Sequence, residues 1–326
     1  MRMAESLARA GHEAVISWFA HRLELFPWIL RGVSIPRGVD VIHTSLALGQ
    51  AFTGRGSPVV VTAHQYVLDP VFRAQRSRLQ AAYHRVALIP PIRASLRKAD
   101  VVTAVSAYIA DAMAPDLAVR PKVIHNWVDT ESFRPSHRHR AESDALRLLF
   151  VGNPSRWKGV DVIPELARRL GDAVEIHCLG GLRHDFPSEL ASLPNVKVLD
   201  RLEPSSMPAL YGRMDAALVP TRYEAFGYVA LEAMASGLPV VGFASTGTSE
   251  VCLDGETALL APVDDVDVLE SHVRRLTDPA LRLRLGMAGR ERAETVFSER
   301  KALDAYLETY KSLLHVSSPA SPGIER

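Results

Sequence analysis

Two glutamates around an aromatic-glycine-aromatic step form the part of the chain best suited to bind a polar ligand. The segment reads EAFGYVALEAMASG, and its key residues are Glu224, Phe226, Gly227, Tyr228 and Glu232. A helix that starts at a bare glycine leaves backbone N–H groups free to bind an anion. Carboxylates accept hydrogen bonds from paired hydroxyls, as on a ribose. The residues alone therefore leave two interpretations equally open: a nucleotide-sugar site, or acids that favour a helix dipole and a solvated face.

A second segment places two cations beside a predicted helix start. In LLFVGNPSRWKGVDVI a buried strand ends at Gly152, a polar loop follows, and a helix is predicted to start near Gly159. Arg156 and Lys158 stand in the loop, where charge-assisted hydrogen bonds would hold a phosphate. The alternative is that both are solvated loop residues.

Histidines follow or end two predicted strands of the first half. His64 leaves the strand in VTAHQY, where it could contact a substrate or move a proton. His43, in VIHTS, is placed similarly in another predicted strand and is the second candidate for such a role. A lone histidine is more often structural, and this alternative stays open for both.

Residues 71–99 contain no Asp or Glu but many basic residues, interleaved with Tyr83, Leu88 and Ile89. A cationic amphipathic segment can bind an anionic membrane surface. The alternative is solvated charge, and nothing in the segment resembles a nucleic-acid-reading module. The predicted acceptor or membrane side consists of Arg73, Arg76, Arg78, Arg85 and Arg93.

Short β-branched runs alternate with helical patterns along the whole chain. This alternation predicts parallel sheets with ligands at the carboxyl ends of the strands. The predicted fold is α/β, with two Rossmann-like doubly wound domains facing a cleft. The predicted strands cover 39–45, 57–64, 99–106, 146–152, 174–180, 195–200, 214–220 and 238–243.

The domain boundaries follow from a polar, aperiodic stretch at 133–145, interpreted as the linker. The first domain is predicted over 1–143 and the second over 144–297. A final helix is predicted over 298–316, crossing back onto the first domain, and 317–326 is expected to be disordered. Helical pattern begins at the first residues, so the opening strand of the first domain is expected to be missing.

Composition narrows the class of protein. The chain has 326 residues, a net charge of +1 and only two cysteines, Cys178 and Cys252. These numbers predict two soluble domains in a reducing cytoplasm and exclude a disulfide framework. No metal site and no spanning helix is predicted. The first domain is basic and the second acidic, which suggests that they meet different ligands.

Several motifs in order resemble the retaining glycosyltransferases of family 4, the "group 1" type with the GT-B fold. AGHEAV is similar to the end of the family's first helix and HNWVDTESFRP to its crossover. FVGNPSRWKG is similar to its strand and lysine-glycine loop, EAFGYVALEAMASGLPVV to its paired-glutamate signature, and DGETALLAPVDD to its late loop. The resemblance extends over almost the whole chain.

The resemblance implies roles for residues at matching positions. Lys158 matches the lysine that holds the donor diphosphate, and Glu232 the glutamate that binds the nucleotide ribose. Glu224 matches the glutamate that contacts the transferred sugar, and His64 a histidine near that sugar. Backbone amides that reach the phosphate and sugar are expected at Phe226, Gly227 and Tyr228.

The chain departs from the family pattern at three places. Asn153 stands where the family has an arginine, so Arg156 is expected to supply the second phosphate cation. Trp127 replaces a glycine of the crossover, with an expected effect on the hinge. The glycine-rich loop that follows the family's first strand is expected to be missing together with that strand.

The predicted activity is transfer of a hexose from a nucleoside-diphosphate sugar, with retained configuration, to a saccharide or lipid-linked acceptor. Such a step would serve cell-surface polysaccharide or glycolipid synthesis, in the cytoplasm or at the inner membrane face. It is expected to need no cofactor, no metal ion and no nucleic acid. The alternatives are an inactive paralogue that binds nucleotide sugars as a scaffold, and a nucleotide-sugar epimerase.

Overall fold

The structure, a computed structural model, describes residues 2–19, 23, 27–136, 145–180 and 186–317. It divides into two compact units, Met1–His125 with Glu299–Arg326, and Asn126–Ser298. Each unit is built on one parallel sheet, which confirms the prediction of two parallel-sheet α/β domains. Most of the predicted linker (137–144) and most of the predicted disordered tail (318–326) lie outside the described residues.

The first unit contains a four-stranded sheet in the order β1-β2-β3-β4. Its central strand β2 reads VVVTA and is buried along its whole length, as expected for a parallel strand covered on both faces. The strands are β1 Ile42–Ser45, β2 Val59–Ala63, β3 Val101–Ala104 and β4 Lys122–Val123. The helices are α1 Arg2–Arg9, α2 Pro70–Ala74, α3 Arg78–Tyr83, α4 Ile89–Lys98, α5 Ala107–Met113 and, from the end of the chain, α13 Glu299–Ser317.

The second unit contains a six-stranded sheet in the order β10-β9-β8-β5-β6-β7. Its strands are β5 Leu146–Val151, β6 Val174–Leu179, β7 Val196–Leu199, β8 Ala216–Val219, β9 Val240–Phe243 and β10 Ala258–Ala261. Its helices are α6 Ile163–Leu170, α7 Ser188–Ala191, α8 Met207–Tyr211, α9 Tyr228–Ala235, α10 Thr246–Val251, α11 Val266–Arg275 and α12 Pro279–Thr295.

The strand order of the second sheet reverses direction at its centre. From β5 the chain proceeds outward through β6 and β7, then returns to the other side of β5 and proceeds outward through β8, β9 and β10. Ligands of doubly wound sheets bind at this kind of reversal, beyond the carboxyl ends of the two central strands. The fold thus singles out the loops after β5 and β8.

The sheet and the boundary of the second unit each differ from the prediction in one respect. The segment ALLA, predicted as part of a loop, is the buried edge strand β10. The unit begins at Asn126 rather than near residue 144. The reason for the early boundary is packing: Phe133 lies edge-on to Tyr211 at 5.7 Å between ring centroids, and Arg290 donates to the Thr130 carbonyl over 2.9 Å.

Among the described residues, no helix is long and apolar enough to cross a membrane.

Candidate functional site

Two loops meet where the second sheet reverses. We call residues 152–162 the β5 loop and residues 220–227 the β8 loop. Their strands are direct neighbours, with Leu148 paired to Ala216 and Leu149 to Ala217. Both loops therefore leave the same edge of the sheet side by side.

The β5 loop carries Lys158 in a tight turn. Arg156–Lys158 form one turn of 3₁₀-helix, and Gly159 follows with a φ of +76°. A Cβ on Gly159 would lie 2.0 Å from the Pro220 carbonyl oxygen, so only glycine lets the two loops touch. The helix predicted near Gly159 begins with a second 3₁₀ turn, Val160–Val162, and α6 itself begins at Ile163, because the left-handed glycine precedes both.

Lys158 and Glu224 form an ion pair between the two loops. Lys158 Nζ donates to Glu224 Oε1, and the two side chains are only 19% and 18% exposed. Partial burial strengthens such a pair because less water screens the charges. The structure thus brings together two of the predicted site residues, which lie 66 positions apart in the sequence.

The backbone of Glu224 is fixed by the first turn of α10, which follows β9. The Thr246 hydroxyl accepts from Glu224 N–H and donates to the Glu224 carbonyl, each over 2.7 Å. Gly247 N–H donates to the same carbonyl over 2.9 Å. Thr246 has a φ of +22°, rare for a β-branched residue, and such strain is typical of functional sites.

The glycine between the two aromatic residues starts α9. Gly227 is the N-cap with a φ of +111°, and no side chain caps this helix end. The helix begins at Tyr228, because the left-handed backbone of Gly227 lies outside the α-helical region. Phe226, before the glycine, is buried against Phe297 with ring centroids 5.6 Å apart. The N–H groups of the first turn of α9 are the type of donor that binds an anion.

Glu232 lies one turn further along α9 and is half-buried. The Tyr211 hydroxyl donates to Glu232 Oε2 over 3.0 Å. Tyr211 is fully buried, and this desolvation, together with the nearby carboxylate, raises the pKa of its hydroxyl well above the ordinary value. The hydroxyl therefore stays protonated and orients the carboxylate.

Arg156 and Asn153 occupy different environments in the β5 loop. The Arg156 side chain is exposed, while its carbonyl oxygen accepts from Arg222 Nη1. Asn153 is half-buried, and its Oδ1 meets no hydrogen-bond donor among the described residues. No cluster of His, Cys, Asp and Glu in the described ranges is arranged to hold a metal ion.

Two family models match this chain, one mainly in the first unit and one in the second. Residues 5–132 match the model "Glycosyltransferase Family 4", and residues 145–278 match "Glycosyl transferases group 1". The two matches do not overlap, and the second contains the whole of both site loops. The chain belongs to the group 1, family-4 glycosyltransferases.

A curated relative agrees with this membership, and solved structures share the fold. The chain is 29% identical to the MMP alpha-(1->4)-mannosyltransferase of Mycolicibacterium hassiacum, over 93% of this chain and 78% of that one. The fold is similar to sucrose-phosphate synthase from Thermosynechococcus elongatus, with a TM-score of 0.82 and 22% identity over 97% and 92% of the two chains. It is also similar to Anabaena Alr3699/HepE in complex with UDP and glucose, with a TM-score of 0.72 and 18% identity over 94% and 88%.

In this glycosyltransferase, the first unit holds the predicted residue His64. His64 follows β2 and its side chain reaches solvent. Desolvation by the surrounding protein lowers the pKa of its imidazole from the ordinary value, so the neutral form is favoured near neutral pH. A neutral imidazole can accept a proton or a hydrogen bond, as the predicted role requires.

The other candidate histidine has a structural role. His43 bonds the Tyr310 hydroxyl through Nδ1 and Thr62 Oγ1 through Nε2, both over 2.6 Å. Thr62 in turn bonds Thr103 over 2.7 Å. Together with Tyr306, these residues form what we call the His43 network, which holds α13 on the first sheet. Burial lowers the pKa of His43 to about 4, with a smaller contribution from His64.

The basic segment of the first unit exposes arginines and apolar residues together. Leu79 is 82% and Val86 78% exposed, on α3 and on the π-helical turn His84–Leu88 that follows. Arg76 is the exception: its guanidinium turns inward to His84 Nδ1, over 3.2 Å. Four of the five predicted arginines are exposed, namely Arg73, Arg78, Arg85 and Arg93.

Three site residues were missed in the sequence. Thr246 and Tyr211 contact the glutamates from other elements, and Arg222 contacts the β5 loop. Of these three, only Arg222 could have been recognised from the sequence. It stands in PTRYE, between the end of a predicted strand and an acidic residue, where a cation is suited to bridge two loops.

Proposed function

We propose that this glycosyltransferase moves a hexose from a nucleoside-diphosphate sugar to a saccharide or lipid-linked acceptor, with retention of anomeric configuration. The observation that carries the proposal is the partly buried pair of Lys158 and Glu224, next to the uncapped glycine start of α9. This arrangement offers positive charge for a diphosphate and carboxylate oxygens for sugar hydroxyls within one site.

Each group has a defined task in the proposed reaction. The bond between the anomeric carbon and the diphosphate oxygen breaks, and its electron pair stays on the diphosphate. Lys158, Arg156 and the backbone N–H groups at Phe226, Gly227 and Tyr228 stabilise that charge. The acceptor hydroxyl oxygen bonds to the anomeric carbon, and its proton leaves to the departing diphosphate.

The two glutamates and the histidine orient the donor in this proposal. Glu232 accepts from the ribose hydroxyls and Glu224 from the hydroxyls of the sugar. His64 acts near the sugar from the first unit. No metal ion or cofactor is required, because Lys158 and the helix start supply the charge that a metal ion would otherwise provide.

The relatives support the class of substrates. A mannosyltransferase among them supports a hexose as the transferred group, and the complex of HepE with UDP and glucose supports a nucleotide sugar as the donor. Synthesis of cell-surface polysaccharide or glycolipid is the setting that we propose for such a transfer.

The test is a panel of UDP-, GDP- and dTDP-hexoses, with release of the nucleoside diphosphate as the readout and NMR of the product anomer. Lys158→Ala should lower the turnover of the accepted donor by about 10²–10³-fold, because one preorganised charge contact is lost. EDTA should leave the rate unchanged. The control is Lys197→Ala, which removes an exposed lysine from strand β7 of the same unit.

Three outcomes would contradict the proposal. Binding of a nucleotide sugar without any release of diphosphate would favour the scaffold. Interconversion of two hexoses on the nucleotide would favour the epimerase. An inverted anomer in the product would exclude retention.

We also infer that the first unit contacts an anionic membrane from the cytoplasmic side. The support is the exposed pair Leu79 and Val86, set among exposed arginines in a segment without acids. Apolar side chains can enter the headgroup region while each nearby arginine contributes about 1 kcal/mol of attraction.

Vesicle sedimentation tests the membrane contact. The chain should bind vesicles that contain phosphatidylglycerol and should not bind phosphatidylcholine alone. Leu79→Ser with Val86→Ser should weaken binding, and Leu283→Ser, a substitution of an exposed leucine in the second unit, should not. Equal binding of all variants would contradict the inference.

A further inference from the structure

A buried arginine joins the β5 and β8 loops close to the Lys158–Glu224 pair. Arg222 is 7% exposed and forms a two-pronged contact with Asp161, at 2.8 Å from Nη1 and 3.0 Å from Nη2. Its Nε donates to Asp264 over 2.6 Å. We call Arg222, Asp161 and Asp264 the Arg222 clamp.

Arg222 contacts residues that precede Lys158 in the sequence and a residue that follows it. On one side, Arg222 Nη1 donates to the Arg156 carbonyl and Arg222 N–H to the Trp157 carbonyl, the latter over 2.8 Å. On the other side stands Asp161. The turn that presents Lys158 is thus held both before and after that residue, by an arginine only two positions from Glu224.

The energetics of buried ion pairs indicate that Arg222 serves to position the loop rather than to stabilise the fold. A buried ion pair is often no more stabilising than apolar residues of equal volume, because both charges lose water. In the clamp the carboxylates remain accessible to solvent, with the side chains of Asp161 45% and Asp264 55% exposed, while the guanidinium is buried. A planar guanidinium with several donors fixes geometry, which an apolar contact or a lysine cannot do.

The third member of the clamp is itself held in an unusual conformation. Asp264 has a φ of +69°, one of two left-handed non-glycine residues in the described part of the chain. The other is Thr246, which fixes the backbone of Glu224. Both strained residues therefore contact the β8 loop, Thr246 at Glu224 and Asp264 at Arg222, and strain that persists at a site is typical of a functional constraint.

We propose that Arg222 is a positioning residue that keeps the β5 loop in place while Lys158 changes partner. This inference rests on the proposed function. Lys158 Nζ now bonds Glu224, and a donor diphosphate must take over that contact. The exchange needs only a side-chain movement if the loop stays fixed, and Glu224 is then free to accept hydrogen bonds from the sugar.

The experiment compares a nucleoside diphosphate with its nucleoside by calorimetry. The probes are UDP, GDP and dTDP, and the one that binds the wild-type chain most tightly is used with its nucleoside. Arg222→Met, which keeps the apolar stem, should weaken diphosphate binding by about 10–100-fold, the range expected for a lost supporting contact of a site. Nucleoside affinity should not change, because the clamp acts on the diphosphate side only.

A double-mutant cycle separates positioning from general loosening of the structure. If Arg222 acts through Lys158, Arg222→Met should have almost no further effect on diphosphate binding in a Lys158→Ala background. Arg222→Lys should restore little of the affinity, because an ammonium cannot bridge both carboxylates and the Arg156 carbonyl. Asp264→Asn removes the charge of one exposed carboxylate of the clamp. It should weaken diphosphate binding less than Arg222→Met does and should also leave nucleoside binding unchanged. This variant keeps the test possible if Arg222→Met does not fold.

The possible results are distinct. Unchanged diphosphate binding in both Arg222→Met and Asp264→Asn would overturn the inference and leave the proposed function intact. An equal loss with and without Lys158 would also overturn it. If the wild-type chain binds none of the three diphosphates, the proposed function fails and this inference fails with it.

Discussion

The Arg222 clamp and the His43 network are both buried polar assemblies that join distant parts of the chain, but they differ in charge. The clamp pairs a guanidinium with two carboxylates that remain partly exposed. The network consists of an imidazole and hydroxyls, and burial keeps the imidazole neutral. Burying a charge is costly unless it is fully paired, whereas a neutral hydrogen-bonded group is tolerated.

The difference in charge between the clamp and the network matches what each assembly has to hold in place. Docking of α13 on the first sheet needs only satisfied hydrogen bonds, so neutral groups suffice. A loop beside an anion-binding site must keep its shape when a strongly charged ligand arrives, and an ion pair with several fixed donors does this better. We expect the two assemblies to respond differently to substitution and to pH.

The largest expected effect is at the loop contact that the clamp reinforces. Gly159→Ala would place a Cβ 2.0 Å from the Pro220 oxygen on a left-handed backbone. The conformational strain and the overpacking should together lower the free energy of unfolding by about 3–5 kcal/mol. Urea unfolding measures this loss.

Gly255→Ala is the matched control for that prediction. Gly255 has a φ of +75°, and a Cβ there would meet nothing within 4 Å. We expect a loss of about 1 kcal/mol, from backbone strain alone. Similar losses for the two variants would show that the close approach of the loops is unimportant.

The contribution of the network to the pH dependence of stability should come next in size. The folded-state pKa of His43, about 4, lies below its ordinary value of 6.5, so folding favours the neutral form. Its contribution is fully present above pH 6.5 and is lost as the pH falls towards 4. The shift corresponds to about 3 kcal/mol at most.

Melting temperatures of the wild-type chain and His43→Gln between pH 4 and 7.5 measure this effect. Glutamine keeps a donor and an acceptor but does not titrate in this range. The wild-type melting temperature should fall more steeply below pH 6.5 than that of the variant. Parallel curves would mean that other groups cause the pH dependence.

The smallest expected effect concerns single hydroxyls. Tyr211→Phe removes the donor to Glu232, and Tyr310→Phe removes one of the two hydrogen-bond partners of His43. Each should cost about 1 kcal/mol of stability, the net value of one hydrogen bond. Only Tyr211→Phe should also weaken nucleotide binding, by a few-fold, and calorimetry would detect this. If both variants bound the nucleotide more weakly, the proposed distinction between a site hydroxyl (Tyr211) and a structural hydroxyl (Tyr310) would be wrong.

Most of the fold could be predicted from the sequence, because buried parallel strands appear as short runs of β-branched residues. The eight predicted strands are present. The two missed strands lack that signature: β4 has only two residues, and β10 reads ALLA, which contains no β-branched residue. The start of α6 was missed because 3₁₀ turns and a left-handed glycine resemble a helix start in sequence.

The site was predicted less completely than the fold. Motifs identified Lys158 and Glu224, which the structure pairs, and their roles remain predictions. The supporting residues could not be predicted, because their contacts depend on the folded chain. Arg222 meets Asp161 across 61 positions and Asp264 across 42, and Thr246 meets Glu224 across 22.

The membership of α13 in the first unit has a consequence for biosynthesis. Residues 126–298 are contiguous and can complete their sheet while the ribosome is still making the rest of the chain. The first unit must wait for Tyr310, which bonds His43 across 267 positions. Nascent domains usually fold from the N-terminus onward. Here the later-encoded unit can finish first, and the part of the first unit that precedes it stays incomplete until α13 has been synthesised.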